Sequence, residues 1–128
     1  MAPKSEPPSP HRLHKATDRL NGALLEAENA LRDLNLGVAA GVPLEGERSL
    51  HFRKRGKLFE LVVVFDGEPP SENHVLSTSR QTRLQVVGKL AALRDALLRA
   101  FDAELCRVEA GIDEVTAFTA SLRRPRVK

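Results

Sequence analysis

Eleven apolar residues in the last third of this chain follow one another at gaps of three or four: Val87, Leu90, Leu93, Leu97, Phe101, Leu105, Val108, Ile112, Val115, Phe118 and Leu122. A mean step of about 3.5 residues is the period of an α-helix that keeps one face against a partner. Unbroken over residues 79–122, such a helix would run roughly 65 Å at ~1.5 Å per residue. A folded chain of this size is only ~30 Å across. Part of the stripe must therefore fold back or be buried by another chain.

The rest of the composition sets the kind of core available. The chain has 128 residues, enough for one domain, with 41% apolar and 29% charged residues. Five Phe and no Trp or Tyr leave a core of Leu, Val and Ala, suited to helix packing rather than to base stacking. No run approaches the ~20 apolar residues of a membrane span. Pro3, Pro7, Pro8 and Pro10 interrupt the apolar stretch that a secretory signal needs. Cys106 has no second cysteine to pair with, which fits a reducing compartment. The cytoplasm is the expected location.

Charge is concentrated in small regions. The net charge is +3, of which residues 123–128 supply +4 through Arg123, Arg124, Arg126 and Lys128, leaving the body at −1. Within the body, residues 49–65 sum to +3 and residues 66–76 to −3. Basicity belongs to a tail and one short segment.

Along the chain, residues 1–10 are rich in Pro and Ser and lack periodicity, so they read as a disordered arm. Leu13, Thr17, Leu20, Leu24, Ala27, Leu31 and Leu34 then predict an amphipathic helix over 11–34, started at Pro10. Gly22 within it suggests a close crossing. The period next drops to two. Leu36, Val38, Ala40 and Val42 alternate with Gly37, Ala39 and Gly41, a strand with one bulky face and one bare face that would let another backbone approach closely. Residues 45–48 read as a turn, 50–53 as a second strand and 54–57 as a tight connection using Gly56. Residues 58–65 are apolar on both faces, as in a central strand. A loop over 66–74 follows, with Gly67, Pro69 and Pro70, and Val75 and Leu76 form a short fourth strand. Ser77, Thr78 and Ser79 supply an N-cap for the long helix. Gly111 is its weak point, a kink or the boundary of two helices unless the helix runs straight through, which Ile112, Val115 and Phe118 favour by continuing the stripe in phase, and Pro125 stops it.

The candidate chemistry is thin. His11 and His14 stand three apart, but a metal site takes three or four protein ligands and the neighbours here are Arg12 and Lys15. Asp66, Glu68, Glu72 and His74 lack the regular spacing of a calcium loop and read as surface groups. Cys106 has no His near it in sequence to stabilise a thiolate and reads as a small packed side chain. No phosphate-cradling glycine loop or nucleophile elbow is present. Arg53, Lys54, Arg55 and Lys57 put four cations within five residues. With Arg123, Arg124, Arg126 and Lys128 they are the candidate phosphate contacts, although no aromatic residue interleaves them for base stacking.

These features predict an α+β fold: an N-terminal helix, an antiparallel meander of three or four strands, and a long C-terminal helix on one face of the sheet, in a single domain over 11–122. The order helix, meander, helix is similar to that of small secretion chaperones, a likeness of architecture that implies a non-enzymatic dimer and carries no residues across. The expected function is a non-catalytic interaction or scaffold module, homo-oligomeric or bound to a protein partner. Its interface would be Leu97, Phe101, Leu105, Val108, Ile112, Val115, Phe118 and Leu122. The rival reading is weak nucleic-acid association through the basic hairpin and tail. No enzyme activity, metal, cofactor, membrane association or small-molecule substrate is expected.

Overall fold

The structure is a computed structural model that describes residues 9–124. Its elements are α1 (Pro10–Asp33), β1 (Ala40–Pro43), β2 (Arg48–Arg55), β3 (Leu58–Phe65), β4 (Ser71–His74), a 3-10 turn (Val75–Ser77), α2 (Arg80–Val87) and α3 (Leu90–Arg123). The strands form one antiparallel sheet in the order β1-β2-β3-β4. The fold is α+β, with the expected N-terminal helix, meander and long C-terminal helix.

The helices cover one face of this sheet. Leu50, Phe52, Leu61 and Val63 point to that face from β2 and β3, and they form one buried cluster with Leu24, Val75, Val86, Leu93 and Leu97. Leu36, Val38, Ala40 and Val42 pack against it, so the bulky face of the predicted first strand is the inner one. Only residues 40–43 of that segment pair as a strand; Gly37 before them takes a left-handed φ of 69°. The bare face is used differently from expectation. The imidazole of His51, paired with Gly41 across β1 and β2, lies where a Cβ on Gly41 would sit, so the glycine admits a ring rather than another backbone.

Four other features depart from the sequence reading. Ser9 and Pro10 belong to the fold: the Ser9 hydroxyl accepts from the Arg12 N–H at 3.1 Å and Pro10 opens α1. Residues 1–8, the rest of the arm, lie outside the described residues. Gly22 is no crossing point, since nothing lies within 4 Å of a Cβ built there. The fourth strand is Ser71–His74, inside the predicted loop, and Val75 and Leu76 form the 3-10 turn after it.

The fourth departure is in the long helix, which breaks at Gly88 and Lys89; Gly111, where the sequence leaves continuity and a break both open, lies within unbroken α3. The two-residue break lets Thr82 and Val86 of α2 and Leu93 and Leu97 of α3 reach the same core. It also turns Val87, the first member of the predicted stripe, out to solvent, with Val86 buried in its place.

Candidate interaction surface

The 34 residues of α3 extend about 51 Å at 1.5 Å per residue, and only the first third of them has the sheet beneath it. Leu93 and Leu97 are buried and Leu90 is half-buried against the core. Leu97 therefore belongs to the chain's own core and not to the free face on which the sequence reading put it. Phe101 is half-buried at the point of departure. From Leu105 onward no described residue of α3 is buried. Exposure of the stripe climbs along the helix, from 44% at Leu105 to 70% at Leu122, with Val108, Ile112, Val115 and Phe118 between.

This distal arm, residues 105–123, carries a seam of heptad type. Leu105, Ile112 and Thr119 recur every seven residues, and so do Phe101, Val108, Val115 and Leu122. Ala103, Ala110 and Ala117 line the opposite side. Six large apolar side chains in one continuous stripe exceed the scattered exposure ordinary for a monomer. Charge is polarised along this part of α3: Asp102 and Glu104 just before the arm and Glu109, Asp113 and Glu114 within it are acidic, and Arg123 and Arg124 close its end. Arg107 pairs with Glu104 at 2.8 Å. Cys106, read from sequence as a packed side chain, is exposed, because the helix has left the body by that point.

Strand alternation divides the basic hairpin. Arg53 and Arg55 project to the face of the sheet that no helix covers. Arg53 forms an ion pair with Glu72, and Arg55 lies 3.4 Å from Glu60 and 3.3 Å from Glu72. Lys54 and Lys57 project elsewhere and have no ion-pair partner among the described residues. Arg123 and Arg124 are exposed at the far end of α3, and Arg126 and Lys128 lie outside the described residues. The eight candidate phosphate contacts are thus not gathered into one patch. Glu72, assigned from sequence to a surface loop with Asp66, Glu68 and His74, belongs with His74 to β4. His14 is exposed and 3.5 Å from Asp18.

The open face carries one further polar pair. Ser49 Oγ lies 2.9 Å from His51 Nε2. Burial, and then the charge of Arg53, hold the His51 pKa below its ordinary 6.5, with Asp66 opposing.

The sequence reading missed Glu28 entirely. On α1 it is the one buried charged side chain among the described residues. Its Oε2 accepts from the Leu61 N–H at 2.7 Å and lies 2.8 Å from His74 Nε2; its Oε1 lies 3.2 Å from the Arg32 guanidinium. His74 Nδ1 accepts from the Leu76 N–H, which leaves Nε2 to donate to Glu28. Arg32 Nε donates to the Phe59 carbonyl at 2.6 Å. Strand β4 ends at His74 opposite Val62, so Leu61 and Phe59 are the next edge groups of β3. Glu28 and Arg32 bond those groups where a longer β4 would have done so. The spacing i, i+4 of Glu28 and Arg32 is the only sequence trace of this arrangement.

No known family model, curated protein or solved structure matches this chain.

Proposed function

We propose that this protein is a non-catalytic interaction module that pairs with a second copy of itself through the distal arm of α3. The carrying observation is the apolar stripe from Leu105 to Leu122, exposed throughout on a helix whose first part alone is packed. Water contact along such a seam is unfavourable at roughly 25 cal/mol per Å2 of apolar surface, and a matching helix removes it.

Charge selects the direction of pairing. In a parallel pair the flanks of the seam set Glu104 of one helix beside Glu109 of the other, twice, a like-charge contact. In an antiparallel pair centred between Ile112 and Val115, Asp102 and Glu104 come within about a turn of Arg123 and Arg124 of the second copy. Leu105 then faces Leu122, and Ile112 faces Val115. Each arm ends level with Glu104 of its partner, one turn short of Phe101 where the globular body begins. The length of the arm fits this arrangement without overlap of the bodies.

Light scattering on a sizing column tests the reading. A dimer at micromolar concentration is expected for the intact chain. Val108→Glu with Val115→Glu should give monomers, because each substitution desolvates a charge at the seam. Both positions are more than half exposed, so the body should keep its circular dichroism. A monomeric mass for the unsubstituted chain at about 100 µM, where even micromolar pairs are saturated, would sink the proposal.

A further inference from the structure

We propose that the cleft between the α1–β1 connection and the β2–β3 hairpin binds a small amphiphilic anion, a carboxylate on a short apolar body. This goes beyond self-pairing, since none of the lining residues belongs to the distal arm. The cleft holds about 280 Å3, close to nine water volumes at ~30 Å3 each. Sites for drug-sized ligands begin near ~300 Å3, so a smaller molecule fits it.

Its floor is apolar. Phe52 and Phe59 stack with ring centroids 5.4 Å apart, and Leu97 is buried beside them. Its wall is backbone: Asn35 at φ 50° and Gly37 at φ 69° curl the chain after α1 back towards the hairpin. Its rim is cationic. Arg32, Lys54 and Lys57 line the cleft and no Asp or Glu does. Arg32 is engaged by Glu28 and the Phe59 carbonyl, and its charge offsets the carbonyl end of α1. That leaves Lys54 and Lys57, which among the described residues lack the carboxylate partners that Arg53 and Arg55 have on the other face.

Two unneutralised ammonium groups beside an aromatic-floored cleft are complementary to an anionic head and an apolar tail. A nucleic-acid backbone fits less well, because two cations release few counterions and Phe52 is buried below the rim where no base can stack on it.

The test is a titration of the isotopically labelled full chain, followed by amide chemical shifts. Octanoate is the probe. Octan-1-ol supplies the tail alone, octylammonium the tail with the opposite charge, and inorganic phosphate an anion alone. Octanoate should saturate, with shifts at residues 36–38 and 57–59, at the millimolar affinity usual for a ligand of about ten heavy atoms. The three control ligands should bind at least about fivefold more weakly. In K54Q/K57Q, octanoate affinity should fall roughly fivefold to tenfold. Both lysines are exposed, so the rest of the spectrum should be unchanged. Equal affinity for octan-1-ol and octanoate, unaltered binding by K54Q/K57Q, or the absence of saturation would overturn the proposal. So would shifts confined to residues 105–122, which would assign the binding to the arm.

Discussion

Replacing Glu28 by Ala tests whether a single α1 side chain completes the sheet. The carboxylate is 2% exposed and serves three donors: the Leu61 N–H, His74 Nε2 and the Arg32 guanidinium. Leu61 is fully buried, so its amide would lose its partner with no water to replace it, at about 1–3 kcal/mol. His74 and Arg32 keep about a quarter of their side-chain surface, so water can replace part of what they lose, and each adds roughly 0.5–1 kcal/mol. Relief of the carboxylate's own desolvation works in the opposite direction. The expected net loss is about 3 kcal/mol, large for a domain whose stability is ~5–15 kcal/mol.

Urea unfolding followed by circular dichroism measures this loss. It is best done in the V108E/V115E background, where self-association does not enter the stability. The midpoint should fall by about 1–3 M at unchanged slope. Glu28→Gln separates the contributions: its amide oxygen can still accept from the Leu61 N–H but its NH2 cannot accept from His74 or Arg32, so roughly 1–2 kcal/mol should be lost. Hydrogen exchange at the Leu61 amide should accelerate in Glu28→Ala and much less in Glu28→Gln. A Glu28→Ala midpoint within error of the parent, with Leu61 still protected, would refute the reasoning, because it would mean that the β3 edge is satisfied without α1.

Two other outcomes are expected. The His51 pKa is lower in the fold than in the unfolded chain, so below pH 6.5 the unfolded state binds more protons; stability should be fully present above 6.5 and decline as pH falls from there through the folded pKa. Urea midpoints between pH 7.5 and 5 should show a shallower decline in His51→Gln, and parallel profiles would remove His51 as a cause. Gly111→Ala should raise the helix content and the stability of the protein, the latter by up to about 1 kcal/mol, because α3 is helical through Gly111 and a Cβ there meets nothing within 4 Å; a clear fall in melting temperature would mean a turn at that position.

Much of this fold was legible because hydrophobic period reports which face an element buries. The period of two in 36–42 identified the inner face of the sheet, the two apolar faces of 58–65 marked a central strand, and Gly56, at φ 66°, marked the hairpin. What period cannot report is pairing by polar residues. Ser71, Glu72, Asn73 and His74 carry no alternation, since an edge strand with three exposed residues has no apolar face to display. Glu28 was invisible for a related reason. It sits on the buried side of α1 one turn after Leu24, at a position the apolar pattern skips in stepping to Ala27 and Leu31, and its role depends on where β4 ends.

The stripe itself concealed the most consequential detail. Val87, Leu90, Leu93 and Leu97 continue its phase without interruption, so no periodicity argument separates the residues that pack on the sheet from those that project. Gly88 caps α2 and lets α3 start again at Leu90, and the packed residues part from the projecting ones further along that same helix, at Phe101. From that restart the sheet can cover only as much helix as β1 and β2 span, and the four residues of β1 reach about 13 Å at ~3.3 Å per residue. A helix of about 51 Å laid over so short a support must overrun it by more than half its length. The exposed seam therefore follows from two local facts, a two-residue break at Gly88 and a short first strand. Lengthening the strand or moving the break would change which apolar residues are left for a partner.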